Sequence, residues 1–417
     1  MDILEKKPSN ENYRNRLLDN KKGLTIWTAL VVNMMLVFIQ RLYIGVMPDY
    51  IMQRFSIDIA KLAFLTSAAF YGYAFFQIPA GILVDKLGVR KLNLIGTGIS
   101  LLVSVIFSLT YSYEIAWISR FMIGAGTSVV IISIMKVQAV WFKPRYFSLL
   151  SAVMAFISNI GMFAGTLPLA LLIKGIGAQN TLHIISVLNL LCLALIALFV
   201  KENKKNNKVQ NDIIEKEGFF DSLTEVLTNK NTYPSVFIIF FFISTMTSLM
   251  GLWAVNYLTS VYGITKIAAS GYTVFFTFGF IAGAPVISLA DRWFKGNYRT
   301  SLIIFTGAYA ALWTYVLLIK KGQPDISQLP AIFFMMGIVI MVHLLAFTAA
   351  KDGNKIENSG VATSVVNTME FIGSGIINFI IAFYIQKGHP PQQAFAVILF
   401  FAAGAFISSF FVRYNDY

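Results

Sequence analysis

The sequence predicts an all-α polytopic membrane protein, with twelve transmembrane helices arranged as two pseudo-symmetric six-helix bundles. Three observations lead there. Of 417 residues, 57% are hydrophobic and 13% charged, too little polar surface to coat a water-soluble globule of this size. The apolar residues gather in twelve runs of about 20, the length that crosses about 30 Å of hydrocarbon as a helix. A polar stretch rich in Lys, Asn and Glu, residues 201 to 232, separates six runs from six.

The spans are read as 24 to 47, 61 to 84, 92 to 111, 115 to 140, 147 to 173, 181 to 200, 233 to 259, 268 to 289, 299 to 319, 327 to 349, 360 to 385 and 391 to 412. Each is expected to be helical, because a lipid-exposed strand cannot satisfy its backbone polar groups and the runs lack barrel alternation. The chain accordingly divides into an N-terminal tail (1 to 22), a first bundle (23 to 200), a linker (201 to 232), a second bundle (233 to 412) and a short tail (413 to 417). Within the linker Phe219, Phe220, Leu223, Val226 and Leu227 recur at helical spacing, which predicts a short helix lying on the membrane surface.

Charge sets the orientation. Placing the N-terminus in the cytoplasm assigns 23 of the 33 Lys and Arg to that side, against seven opposite: Arg54, Lys61, Lys174, Lys266, Lys320, Lys321 and Lys387. Both termini are therefore expected in the cytoplasm. The formal net charge of +13 comes from short clusters between apolar runs, so it points to membrane topology and not to a nucleic-acid partner. The polar first 22 residues precede no small-residue cleavage site, and the first span is expected to stay.

Soluble-enzyme chemistry finds no support. The lone Cys192 excludes an intrachain disulfide and a Cys-rich metal site, and His183, His343 and His389 are scattered. There is no His-Glu-x-x-His and no Walker loop, and Gly124-Ala-Gly126 lies inside an apolar helix, not after a strand. No enzyme activity, cofactor or metal is expected. The expected partners are the bilayer, a small-molecule solute and a proton, with the chain acting as a monomer.

Ionisable groups within the spans carry the functional information, because each is costly in hydrocarbon and usually faces a partner or a water-filled cavity. Arg41 in span 1 and Arg120 in span 4 come at similar depth in one bundle, where two guanidinium groups could hold a carboxylate or phosphate. For Arg41 the rival is snorkelling to the interface; for Arg120 it is helix packing or coupling duty. Glu370, near the middle of span 11, is too short to snorkel and has the character of a proton-coupling group, with a static ion pair as the alternative. His343 in span 10 is a weaker second. Lys136, near the end of span 4, reads as a snorkelling residue or a cavity-facing charge.

Polar aromatics and amides accompany these groups. Tyr43 follows Arg41 by two, and Tyr73 and Gln77 share one face of span 2, so Tyr43, Tyr73 and Gln77 are candidates to orient a polar ligand, with interhelical hydrogen bonding as the rival. Trp253, Asn256 and Tyr257 in span 7 read as an interfacial aromatic belt. In span 5, Gly161 and Gly165 predict close packing and Pro168 a bend.

Between spans 2 and 3 lies Gly81-Ile-Leu-Val-Asp85-Lys86-Leu-Gly88-Val-Arg90-Lys91. Gly81 would let two helices approach closely, and Asp85 could pair with a helix end or with Lys86, Arg90 and Lys91, making a latch that forms and breaks. Asp291-Arg292, followed by Lys295 and Arg299, repeats the arrangement after span 8, although Ile287 stands where the repeat would have glycine. A duplicated six-helix unit implies a site near the midplane, opened alternately to each side.

The Gly81–Lys91 segment resembles the loop signature of the major facilitator superfamily, Gly-x-x-x-Asp-Arg/Lys-x-Gly-x-Arg-Arg/Lys, in the same topological place. Arg120-Phe-Met-Ile-Gly124-Ala-Gly126 is similar to the family's span 4 signature, with Ile123 replacing the usual Gln. The span 5 sequence lacks the Gly-Pro pair of the family's antiporters. The Arg41 position, Gln77-Ile-Pro79-Ala-Gly81 and the Phe219-Phe220 linker look like bacterial carriers of small organic anions. The resemblance implies a secondary active transporter of the inner membrane, importing a small carboxylate, sugar acid, phosphorylated metabolite or amino acid by proton symport. Arg41, Arg120, Tyr43, Tyr73 and Gln77 would then bind the solute, and Glu370 with His343 would handle the proton. The gate would comprise Gly81, Asp85, Lys86, Gly88, Arg90, Lys91, Asp291 and Arg292. An efflux antiporter for lipophilic compounds and a receptor that no longer transports stay open as alternatives.

Overall fold

The structure, a computed structural model, describes residues 20–143, 146–201, 219–355 and 358–413; the side chains of Ile82, Asp85, Phe147, Ser148, Ala152, Phe219, Phe220 and Asp291 also fall outside the description. Among the described residues, twelve helices are long and apolar enough to cross a membrane: Lys21–Val46, Ile59–Gly81, Val89–Leu109, Tyr113–Trp141, Leu149–Ile176, Ala178–Phe199, Tyr233–Tyr262, Lys266–Ala290, Tyr298–Ile319, Ile326–Asp352, Ser359–Gln386 and Pro391–Ser409. These are spans 1 to 12.

Local chemistry starts and stops them. The side chains of Asp58, Ser112, Thr265 and Asn297 accept backbone N–H bonds at the starts of spans 2, 4, 8 and 9. Between spans 5 and 6 the chain reverses at Gly177, whose φ of 85° only glycine adopts without strain.

In the first bundle span 1 packs on spans 4, 5 and 6, and span 4 on spans 2 and 3; in the second, span 10 packs on 8, span 12 on 7 and 9, and span 11 on 7 and 10. Spans 2 and 11, 1 and 7, and 5 and 8 join the bundles. The duplication shows in matching contacts. Gly72 and Gly124 bring spans 2 and 4 so close that a Cβ on either would strike the carbonyl of Phe121 or Ala69, and Gly279 and Gly337 do the same for spans 8 and 10 against Phe334 and Phe276. Arg90 donates to the Ala197 carbonyl at the end of span 6 at 3.0 Å, and Arg299 to the Phe410 carbonyl at the end of span 12 at 3.0 Å.

Some expectations need correction. Among the described residues Gly81 is not at a close approach: no described atom of another helix lies within 4 Å of where its Cβ would stand. Trp253 and Tyr257 are not an interfacial belt, being only 1% and 9% exposed inside the second bundle. Span 5 does break before Pro168, into Phe147–Ala164 and Leu167–Ile176, and Gly161 packs on the Met35 backbone of span 1. Other interruptions come without any proline. Span 7 is π-helical over Leu249–Trp253, preceded by an interruption at Phe242 where the Thr245 hydroxyl takes the Phe242 carbonyl at 2.6 Å. Span 10 breaks between Ile340 and His343.

The linker helix forms over Phe219–Thr228 and docks on protein as well as facing outward. Val226 is buried against Ala362 and Val365 of span 11, while Glu225 pairs with Lys355 at 2.8 Å and accepts from Asn358 at 3.0 Å.

Candidate functional site

Spans 2 and 11 run antiparallel and interlock along the seam between the bundles. One face of the molecule bears the described chain ends; the seam starts at the face away from them, the far side. There Asp58 accepts from Gln386 at 2.7 Å, then Ser67 from Asn378 at 3.0 Å. Next the Tyr71 ring lies on Gly375, and Phe70 and Tyr73 pack on Phe371. The last tooth is Gln77, accepting from Asn367 at 2.8 Å. Further toward the termini, a Cβ added at Gly81 or Gly360 would meet no described atom of the partner helix within 4 Å.

The far side is also closed elsewhere. Lys266 meets Asp49 at 2.5 Å, and a Cβ on Gly45 of span 1 would lie 2.6 Å from the Gly251 carbonyl oxygen of span 7. Hydrogen bonds between described residues that join the bundles stop at Gln77–Asn367. The described contacts thus hold the two bundles together on the far side. A crevice of about 440 Å³, lined by Asp49, Asn256, Thr259 and Lys266 among others, lies outside the closure.

Arg41 sits in this seam. Its guanidinium carbon is 4.6 Å from the Tyr73 ring centre, 5.0 Å from that of Phe371 and 5.3 Å from that of Phe38, a cage built from both bundles. Such faces hold a cation by their quadrupoles, about 0.5–2 kcal/mol each, without neutralising it. Arg41 remains half-buried. Glu370, next to Phe371, is also half-buried; it lies within the field of Arg41 and accepts from the Thr247 hydroxyl at 2.6 Å. Among the described residues Arg41 and Glu370 form no direct ion pair.

Arg120 is elsewhere. It is 0% exposed, donates from Nη1 to the Gln40 carbonyl at 2.8 Å, and stands 5.0 Å from the Tyr43 ring centre. Its Nε and Nη2 have no acceptor among the described residues. Tyr43 packs edge-on against Phe107 of span 3. Both belong to the interior of the first bundle, so the structure does not bring the two arginines onto one surface. Tyr73 and Gln77 do join Arg41 in the seam, with Gln77 engaged by Asn367.

His343 lies at the break in span 10, where its Nδ1–H donates to the Ile340 carbonyl at 2.8 Å and its ring stacks on Phe280. The carbonyl can only accept, so Nδ1 carries the hydrogen. No described contact links His343 to Glu370. In the loop after span 2, Gly88 turns at φ 81°, Lys86 and Lys91 are exposed, and Arg90 holds span 6; the side chains of Asp85 and Asp291 lie outside the described residues. Arg292 is exposed. Lys136 donates to the Val84 carbonyl at 2.9 Å near the end of span 2.

Sequence reasoning missed several polar groups. Asn378 accepts from Ser248 at 2.6 Å and from the Trp253 indole at 3.0 Å, while donating to Ser67, which makes it the hub of the far-side closure. An asparagine midway along an apolar run was the available signal. Arg54, on the short helix Pro48–Phe55, donates to the Ser108 and Thr110 carbonyls at 2.7–2.9 Å, satisfying the end of span 3, and also to Tyr50 and Gln179.

A sequence profile described as Major Facilitator Superfamily matches residues 26–378. The uncharacterized transporter YybO of Bacillus subtilis (strain 168) is 25% identical over 107 residues, a match spanning 26% of this chain and only 25% of that relative. Among solved structures, a D-xylose–proton symporter superposes with a TM-score of 0.75 at 12% identity, covering 94% of this chain and 97% of its own. A bacterial homolog of the human lysosomal transporter Spinster, in an inward-facing and unoccupied conformation, gives 0.72 at 16% identity, covering 94% and 99%. Likeness at such identities concerns the fold.

Proposed function

From the membership of this chain in the major facilitator superfamily, which makes it a multi-pass membrane transporter, we propose that it imports a small anionic or zwitterionic metabolite by proton-coupled symport. The observation that carries this reading is Arg41, a half-buried guanidinium held by three aromatic rings in the seam between the bundles. A cation retained there, caged but without a direct counter-ion, is a seat for a carboxylate or phosphate.

Glu370 supplies the coupling. Ionised, it offsets the charge of Arg41 across the seam and leaves little for a solute to neutralise. When a proton binds Glu370, Arg41 is left uncompensated, and the solute's anionic group becomes its counter-ion. One proton and one anion load together. Tyr73 and Gln77 orient the solute, while Arg120 and Tyr43 brace span 1 from behind. The excess of positive charge supports cytoplasmic termini, so the bonded far side would face outward, and the carrier works as a monomer in the inner membrane. The loop Gly81, Asp85, Lys86, Gly88, Arg90 and Lys91, with Asp291 and Arg292, forms the inner gate.

The test is uptake into proteoliposomes of a panel of sugar acids, dicarboxylates, sugar phosphates and amino acids, driven by an inward proton gradient. Arg41→Ala is expected to reduce uptake of the transported compound by at least about 100-fold, the scale of a lost charge-assisted bidentate contact. Normal uptake by that variant overturns the anion seat. Glu370→Gln is expected to exchange solute but not accumulate it, and accumulation against a gradient would overturn the coupling assignment.

A further inference from the structure

Span 7 is fastened to span 11 at both ends of its irregular stretch. At its start the Thr247 hydroxyl donates to Glu370 at 2.6 Å and the next residue, Ser248, to Asn378 at 2.6 Å; at its end Trp253 donates to the same Asn378 at 3.0 Å. The π-helical segment Leu249–Trp253 runs from just after Ser248 to Trp253 and holds one extra residue per turn against the adjoining α-helix. Gly251, in the middle of that segment, is the residue on which Gly45 closes the outer side of the seam. The group proposed to carry the proton is therefore bonded to the helix whose irregular turn forms the outer closure.

We propose that Thr247 is a positioning residue that links the charge of Glu370 to the form of span 7, keeping the π turn in place while Glu370 is ionised. The inference rests on the reading of Glu370 as the proton carrier. The other ionisable groups facing Glu370 are Arg41 from span 1 and Tyr73 from span 2; from span 7 the group facing it is the neutral Thr247. A hydroxyl donates more strongly to a carboxylate than to a carboxyl. A proton reaching Glu370 converts one to the other and weakens the Thr247 bond. One of the two ties at the start of the segment then loosens, the π turn can relax to α-helix, and Gly251 moves away from Gly45. Protonation thereby prepares opening outside, while Ser248 and Trp253, still bonded to Asn378, keep span 7 attached to its bundle.

Hydrogen–deuterium exchange of the full chain in nanodiscs of phosphatidylethanolamine and phosphatidylglycerol tests this without any solute. The readout is the exchange of backbone amides 247–253 at pH 8 and pH 5.5, corrected for intrinsic rates. The wild type is expected to exchange at least about tenfold faster at the lower pH, the effect of losing roughly one charge-assisted hydrogen bond. Thr247→Val is expected to exchange fast at both values, and Thr247→Ser, which restores the hydroxyl, to recover the wild-type response. Glu370→Gln is expected to be fast at both. A Thr247→Val protein that keeps the wild-type pH response overturns the inference, as does a wild type with no response in this segment. A Glu370→Gln protein that keeps the response instead overturns Glu370 as the titrating group, so the two failures are distinguishable.

Discussion

Replacing Gly45 with alanine should open the outer side of the transporter, and the neighbouring glycine offers an internal control. The added methyl group would stand 2.6 Å from the Gly251 carbonyl oxygen and 3.0 Å from the carbonyl carbon. Both are backbone atoms of a helix pinned by Trp253 and Ser248, so they cannot swing aside as a side chain can. Ordinary contact requires about 3.4 Å or more, so spans 1 and 7 must separate by several tenths of an ångström. Overpacking of this kind costs about 1–3 kcal/mol. Because the cost falls only on the state in which the spans touch, it should shift the population toward outward-open forms by about 5- to 150-fold. The reciprocal change, Gly251→Ala, meets only the tip of the Phe70 ring, at 3.3 Å, which a small rotation relieves. Double electron–electron resonance between spin labels at Glu114 and Lys387, both exposed on the far side and in different bundles, reads the separation. Gly45→Ala should add a longer-distance population and Gly251→Ala should not. Equal shifts from the two variants, or none from Gly45→Ala, would refute the reasoning.

Further tests address the scaffold. Trp253→Phe removes one of the two donors to the Asn378 carbonyl oxygen while Ser248 stays in place, so melting in detergent should show a loss of about 1 kcal/mol. Gly124→Val and Gly337→Val drive a side chain into the Ala69 and Phe276 carbonyls of the paired spans, and both should lower folded yield by size-exclusion chromatography, matching the internal duplication. The Lys355 ammonium beside Glu225 holds that carboxyl below the usual carboxylate range. The linkage sign follows: the tie is fully present above the ordinary carboxylate value and lost as pH falls through the lowered one. Exchange protection of the linker helix should therefore drop on acidification below the ordinary carboxylate range, and Lys355→Met should show a smaller drop.

Much of the fold was legible because hydrocarbon allows so few backbone solutions. The twelve runs and the break before Pro168 each follow from one local property. The irregular turns of spans 7 and 10 were not legible, since neither holds a proline and hydroxyl-to-carbonyl bonding such as that of Thr245 also occurs in unbroken helices. Arg41 and Arg120 looked alike in the sequence because depth can be counted along a helix but azimuth cannot when the helix is apolar all round. The structure separates them by turning one into the seam and the other into its own bundle. Asn378 and Thr247 were missed for a related reason: their partners Ser67 and Glu370 lie more than a hundred residues away, and no periodicity joins positions so remote.

The interlocked seam of spans 2 and 11 also restricts how the molecule can move. Asp58 with Gln386, Ser67 with Asn378, Tyr71 with Gly375 and Gln77 with Asn367 are successive rungs between two rods pointing in opposite directions. A piston stroke along either axis would unseat every rung at once, with nothing regained until a whole turn had passed. A tilt unseats them in sequence, beginning at the rim and ending at Gln77–Asn367, the fulcrum of a seesaw whose free arms carry Gly81 and Gly360.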